Sequence, residues 1–350
     1  MTSRPLIIPI FLPAIGCHGR CLFCNQMAST EGRPSPFSVR NFIEASLARI
    51  PYNKENRKKQ TAFYGGSFTA IHRDDQILYL KEVQPFLASR LIDSVRISTR
   101  PDALDEETLS LLEEYGVKTI EIGVQSMIDE VLSLARRGHL AEDTVSATLR
   151  LKQRGFEVGH QLMIGLPGDT CDRFLQTLGR VIELRPDFVR IHPTLVLKGA
   201  PLENLWRDGR YAPLNLGEAV QWLKQGLLKL ENSSIPIARI GLQPTLELER
   251  NYLAGPYHPA FRQLVDSAIF LDMAGHLLQN NLNGSHAVFF CHPKEISNLK
   301  GQKNENILRL KRQFNLGDIL IDGRQDLPRG YLGLQTQGKE ASIRRKFFGS

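Results

Sequence analysis

The run Leu6-Ile7-Ile8-Pro9-Ile10-Phe11 is followed closely by Cys17-His18-Gly19-Arg20-Cys21-Leu22-Phe23-Cys24, which puts three thiols within eight residues after an apolar segment. Pro5, Pro9 and Pro13 recur every fourth residue. A helix tolerates that badly, because each proline removes a donor and clashes with the preceding turn. The apolar run therefore reads as a buried first strand. It does not read as the helical core of an export signal, so a cytoplasmic protein is expected. Thiolates at this spacing suit zinc or an iron–sulfur cluster. Zinc wants a fourth ligand, for which His18 is the candidate within the loop. Three cysteines alone fit a [4Fe–4S] cluster with one iron left open. Phe23 would shield such a cluster from water, and Gly16 and Gly19 would let the loop fold around it. Cys171 and Cys291 have no partner at ligand spacing and read as packing or surface residues. An odd total of five cysteines without an export signal argues against a disulfide framework.

Outward from this loop, strand-like and helix-like runs alternate. The strands are expected at Leu6–Phe11, Thr61–Tyr64, Val95–Thr99, Thr119–Val124, Val158–Ile164 and Phe188–His192. Helical stretches are expected between them, one of them opened by Asp105. Strand, loop and helix repeated six times predict parallel strands with right-handed crossovers, in a doubly wound sheet or in an open or closed barrel. In either architecture, chemistry sits at the C-terminal ends of the strands. The unusual loops all fall there: Cys17–Cys24, Gly65–Thr69, Thr99–Asp102, Gln125–Ser126 and Gly165–Gly168.

Tyr64-Gly65-Gly66-Ser67-Phe68-Thr69 follows the second strand, where two glycines let backbone approach a ligand or simply make a turn. Glu121-Ile122-Gly123-Val124-Gln125-Ser126 ends the fourth, and Arg137 lies twelve residues beyond Gln125. Together with Cys17, Cys21 and Cys24 after a first strand, these motifs resemble the radical S-adenosylmethionine (SAM) superfamily over about residues 5–195. The Gly-Gly-Ser-Phe-Thr form resembles the branch with the radical SAM domain of the Elongator catalytic subunit, and more distantly oxygen-independent coproporphyrinogen oxidase. The resemblance implies a partial TIM-type (β/α)6 barrel and a cluster on Cys17, Cys21 and Cys24. It implies that Gly65 and Gly66 hold the SAM amino group, in a loop where many members carry an acid at the place of Ser67. It also implies that Gln125 and Arg137 contact SAM, the arginine through the carboxylate, as a bidentate guanidinium suits. Ser98 stands where the porphyrinogen enzymes have an acid for the ribose, and Gln161 where the same branch has an aspartate. Gly165-Leu166-Pro167-Gly168 matches the loop beside the adenine. The implied activity is reductive cleavage of SAM to a 5′-deoxyadenosyl radical, with a flavodoxin- or ferredoxin-type protein as one-electron donor. No acetyl-CoA signature appears after residue 195, so the elongator reaction itself is not expected. His192 and His258 read either as structural histidines or as substrate-facing groups.

Beyond Pro193 the pattern becomes irregular. Gly217–Leu230 reads as a helix, Ile237–Leu242 as a strand and Gln279–Ser285 as a linker. Ala287–Cys291, about Glu295–Phe314 and Ile319–Asp322 then read as strand, helix and strand. The expected division is a radical SAM core over 1–200, a barrel-completing region over 201–284 and a basic α/β unit over 285–350. The whole chain has 350 residues, 42% hydrophobic and 23% charged, with a net charge of +7. That is the composition of a folded globular protein and excludes disordered and collagen-like classes. No apolar run reaches the ~20 residues of a membrane helix, so no membrane association is expected. From Ser285 onward twelve basic residues face six acidic ones, so this segment carries nearly all the excess. Such asymmetry points to a polyanion partner or to a solvated basic surface. Within the segment, Gly301-Gln302-Lys303-Asn304 joins two helical stretches ahead of a strand. That order resembles the core of a KH-type RNA-binding unit, whose Gly-x-x-Gly loop clamps nucleotide backbone; a small α/β cap is the other reading. The expected substrate is thus tRNA or another RNA. A small molecule such as a tetrapyrrole is the alternative enzyme reading, and a non-catalytic iron–sulfur RNA-binding protein is the reading from another class.

Overall fold

Six strands lie side by side in chain order, each parallel to its neighbours: β1 (Leu6–Leu12), β2 (Lys59–Gly65), β3 (Ser94–Thr99), β4 (Val117–Gln125), β5 (Glu157–Ile164) and β6 (Phe188–Pro193). A doubly wound sheet reverses its strand order at a switch point. This one does not, so it is the wall of a partial (β/α) barrel. The computed structural model describes residues 5–13, 15–17, 21–25, 34–51, 57–282, 284–337 and 339–348. Residues 1–213 with 245–254 form one unit, and residues 214–244 with 255–350 a second.

In the first unit the crossovers are α1 (Pro36–Ala48), α2 (Arg73–Lys81), α3 (Gln84–Ala88), α4 (Glu106–Glu114), α5 (Asp129–Leu134), α6 (Ala141–Gln153) and α7 (Cys171–Leu184). Local signals set their starts. Asp105 caps α4 by accepting from the Thr108 amide, and Thr170 caps α7 by accepting from Arg173. One face of each strand is apolar and packs under the helices: Ile97 on β3, Ile120 and Ile122 on β4, and Val158 and Leu162 on β5 are fully buried. The opposite face carries Gln60, Tyr64, Arg96, Ser98, Glu121, Gln161, Arg190 and His192. In the neighbouring register, Tyr64 follows Phe63, which pairs with Ile97, while Ser98 pairs with Glu121 and Gln161 with Arg190.

The second unit contains α8 (Leu216–Asn232), a short strand Ile237–Ile240, α9 (Phe261–Asn281) and a four-stranded sheet. That sheet is ordered β8-β7-β9-β10, from β7 (His286–Cys291), β8 (Asp318–Gly323), β9 (Tyr331–Thr336) and β10 (Lys339–Arg344). Between β7 and β8 lie two helices, α10 (Ile296–Lys300) and α11 (Glu305–Phe314). Phe270, Phe289 and Phe290 fill its core, with the Phe290 ring lying where a Gly333 side chain would stand. Arg345 ties the C-terminal stretch to α8 and α9 through Glu231 and Asp266, both at 2.8 Å. Two sequence expectations change here. The segment expected as a linker, Gln279–Ser285, begins as the last turn of α9. The helical stretch expected over about Glu295–Phe314 is two helices, divided as the Gly301–Asn304 loop predicts, at Gly301 (φ +71°) and at the left-handed Lys303 and Asn304. Among the described residues no helix is long and apolar enough to cross a membrane.

Candidate functional site

The loop after β1 and the loop after β2 are built against each other. The Ser67 amide donates to the Ile15 carbonyl at 2.9 Å. A Cβ on Gly66 would lie 2.0 Å from that same carbonyl oxygen, and one on Gly16 (φ +73°) would lie 2.2 Å from the Ser67 oxygen. The glycines are therefore required by loop-on-loop contact, whatever else they approach. Gly65 has φ +108°, a conformation that favours glycine. Ser67 is buried, and its hydroxyl is engaged with Thr99 Oγ1 (2.9 Å) and the Arg100 amide (3.2 Å).

The thiol loop is held by two main-chain bonds at Leu22, next to Cys21. The Leu22 amide donates to the Ala135 carbonyl, and the Leu22 carbonyl accepts from Leu202. Phe23 packs against two apolar clusters, one around Leu22, Val196 and Leu202 and the other around Val131, Met163 and Leu166. It thereby covers one flank of the loop with hydrocarbon. His18 and Gly19 lie outside the described residues. None of the five cysteines forms a disulfide. Desolvation first, then the neighbouring Cys21, raises the Cys17 thiol pKa against the pull of Arg137. Among the described residues no three His, Cys, Asp or Glu side chains converge to hold one metal ion. Thiolates that each bind a separate iron of one cluster need no such common point.

Arg137 and Gln125 come together over Gly123 on β4. A Cβ on Gly123 would lie 3.0 Å from Gln125 Nε2 and 3.1 Å from Arg137 Nη2. Arg137 donates through Nη1 to Cys21 Sγ (3.2 Å) and through Nη2 to the Gly123 carbonyl (2.7 Å). Both side chains are buried, yet among the described residues Gln125 Oε1 and Arg137 Nε have no hydrogen-bond partner. A buried acceptor and a buried charged donor left open beside a thiol cost free energy unless a polar group meets them. The donor set of this corner thus fits a ligand with an ammonium and a carboxylate, next to a thiolate-held metal centre. Ser98 and Gln161 are half-buried on the inner face, Ser98 donating to the Phe63 carbonyl at 3.4 Å.

Three further groups complete the site; the sequence flagged the Thr99–Asp102 loop and the motifs holding Tyr64 and Glu121 but gave these side chains no role. Arg100 forms two bonds to Asp102 (2.9 and 2.6 Å) and donates to the Arg137 carbonyl (2.6 Å), fixing the backbone that carries Arg137. Desolvation would raise Asp102, but Arg100 holds it below the ordinary carboxylate range. His139 is buried, and desolvation followed by Arg137 pushes its pKa down to about 4, so the imidazole is neutral near pH 7. Deeper in the barrel, Glu121 accepts hydrogen bonds from Tyr64 (2.7 Å) and Arg96 (2.8 Å) and forms an ion pair with Arg190 (2.8 Å). The Arg190 guanidinium also lies 5.5 Å from the centre of the Tyr64 ring. Burial and Glu121 raise the Tyr64 hydroxyl pKa, which keeps it protonated. Ionic residues at alternate positions of otherwise apolar strands were the available signal.

The sequence profile of the radical SAM superfamily matches residues 11–181, and that of the radical SAM C-terminal domain matches residues 186–270. A tRNA uridine(34) acetyltransferase from Methanocaldococcus infernus is 27% identical, over 60% of this chain and 46% of that protein. Protein YhcC of Escherichia coli K12 is 30% identical, over 57% of this chain and 63% of that one. Human Elongator complex protein 3 is 26% identical, over 56% and 39%. The chain spans about half the length of the acetyltransferase relatives it matches. The solved structure of the archaeal Methanocaldococcus infernus Elp3 with an N-terminal deletion superposes with a TM-score of 0.60 at 22% identity, covering 81% of this chain and 65% of that one. It shares the fold.

Proposed function

The chain belongs to the radical SAM superfamily of enzymes, and from that premise we propose that it uses a [4Fe–4S] cluster to cleave S-adenosylmethionine reductively and modifies RNA, tRNA in particular. The observation that carries this is the corner at Gly123, where Gln125 and Arg137 present open buried polar atoms beside Cys21. In this reading Cys17, Cys21 and Cys24 hold the cluster. When bound, cluster and SAM supply a 5′-deoxyadenosyl radical able to take hydrogen from a substrate.

The chain's own residues bind, orient and shield. Arg137 offers Nε–H and its charge to the SAM carboxylate, and Gln125 Oε1 accepts from the amino group. Gly65 and Gly66 place backbone beside that amino group. The buried Ser67 hydroxyl shapes their loop through Thr99 and Arg100. Ser98 and Gln161 face the nucleoside from the inner wall, and Phe23 keeps water from the thiol loop. A flavodoxin- or ferredoxin-type protein supplies the electron, and the cytoplasm is the compartment. The relatives named for tRNA uridine 34 motivate the RNA substrate; the acetyl transfer in their name is not carried over. RNA is met through residues 285–350, where the basic excess lies.

The test incubates reduced chain and SAM anaerobically with tRNA, or with a tetrapyrrole. The account expects tRNA to accelerate 5′-deoxyadenosine formation and to lose an unmodified nucleoside in proportion. Acceleration by the tetrapyrrole and not by tRNA would move the substrate to the small-molecule class.

A further inference from the structure

The basic excess of the second unit is not spread evenly. Residues 293–314 hold Lys294, Lys300, Lys303, Arg309, Lys311 and Arg312 against Glu295 and Glu305 alone. Glu295 is buried and turned inward, accepting from the Gly330 amide at 2.6 Å, and Lys311 is paired with Asp318. The other five cations, Lys294, Lys300, Lys303, Arg309 and Arg312, are exposed and in no ion pair among the described residues. Elsewhere in this unit Arg262, Arg324 and Arg345 are paired with acids, while Arg344 on β10 is exposed and in no ion pair among the described residues. The densest run of unpaired cations, five within residues 294–312, thus lies on one helix–loop–helix segment, with Lys339, Arg344 and Lys346 apart from it in sequence.

That segment is held in a fixed shape. Buried Asn306, at the start of α11, donates through Nδ2 to the Ser267 carbonyl, the Ser267 hydroxyl and the Asn298 carbonyl. It locks α11 to α10 and to α9 at once. A Cβ on Gly301 would lie 2.9 Å from the Asn306 side chain, so the first loop residue must be glycine. Asn304, at the place of the second glycine of a Gly-x-x-Gly loop, is left-handed with φ +62°, a conformation asparagine accepts more readily than most residues. The strands that flank the two helices, β7 and β8, are parallel neighbours. Strand, helix, Gly-led loop, helix and strand therefore close into one βααβ unit carrying cations at the end of α10, on the loop and on α11.

From this we infer that the α10–loop–α11 face, with Lys300, Lys303, Arg309 and Arg312 as its phosphate contacts, is an RNA-binding surface for single-stranded backbone. The inference rests on the RNA reading above and locates it on a surface outside both matched family profiles. Charge complementarity selects a polyanion. The preformed loop, with cations on either side of it, selects a backbone that carries one charge per nucleotide over a folded acidic protein with scattered carboxylates.

The test uses the full chain. The triple variant Lys300→Glu, Lys303→Glu, Arg309→Glu is compared with the double variant Lys339→Glu, Arg344→Glu on β10, for tRNA binding across a salt series. Unchanged iron content and thermal midpoint establish that both fold. Wild type is expected to weaken with salt at a log–log slope of about −0.7 per contact. The triple variant should lose roughly tenfold or more in affinity at about 0.1 M salt and flatten the slope by about 2, whereas the β10 variant should change less than about twofold. Homopolymers of different base should respond alike, since phosphate contacts carry no base information. Equal losses in the two variants, or none in the triple, would overturn the surface while leaving the RNA substrate standing. A triple variant that keeps tRNA but no longer binds a flavodoxin would reassign the face to the electron donor. Wild type that binds no tRNA would defeat the RNA reading itself, and this inference with it.

Discussion

Cys21→Ala is expected to remove the brown colour and to lower iron from about four per chain to near zero in anaerobically purified protein. Cys21 is buried, its sulfur accepts from Arg137, and Leu22 beside it is pinned by two main-chain bonds that the substitution does not touch. The loop should therefore keep its course while losing one of three ligands. A [4Fe–4S] cluster left with two protein thiolates is not retained. Iron analysis and the visible spectrum read the result, and the thermal midpoints of the two metal-free proteins should agree within a few degrees. Stoichiometric zinc and no iron in the wild-type chain would show instead that these thiols form a zinc site.

Arg137→Ala should weaken SAM binding ten- to a hundredfold while leaving iron content intact. The side chain is buried, and its Nε–H is uncommitted next to the open Gln125 Oε1. A charge-assisted contact to a carboxylate is worth about 1.5–3 kcal/mol. Arg137→Lys should recover only part of that, because an ammonium cannot reproduce the planar donor set. Isothermal titration with SAM under anaerobic conditions measures both. SAM affinity equal to wild type in Arg137→Ala, with iron retained, would remove Arg137 from the binding site.

The barrel was legible because its signals are local. Each parallel strand is a short apolar run, two of the later crossover helices open on the side-chain caps Asp105 and Thr170, and the loops at the strand ends carry Cys, Gly, Gln and Arg in recognisable spacing. The second unit was read less completely. Helix α9 was not anticipated, although Phe261, Val265, Ile269, Met273 and Leu277 recur every fourth residue. Its apolar residues extend beyond that stripe to Phe270, Ala274 and Leu278, which blurs the amphipathic contrast. Strands β9 and β10 were missed because Gly333 and charged Lys339, Glu340 and Arg344 break the alternation. β9 pairs with the distant β7, Gly333 opposite Phe290, and β10 then closes a hairpin on β9. At the site, motif spacing pointed to Gln125 and Arg137. It could not show that the two meet over Gly123, nor that Ser67 spends its hydroxyl on Thr99 and Arg100. The Glu121 cluster stayed hidden for the same reason, since Tyr64, Arg96, Glu121 and Arg190 come from four strands and become one network only once the sheet curls.

The most direct test is product analysis of the reduced, iron-loaded chain incubated anaerobically with SAM alone. The account predicts methionine and 5′-deoxyadenosine in equal amounts, formed only when reductant is present and absent in Cys21→Ala. SAM recovered intact after reduction of a chain that holds its full iron would contradict it.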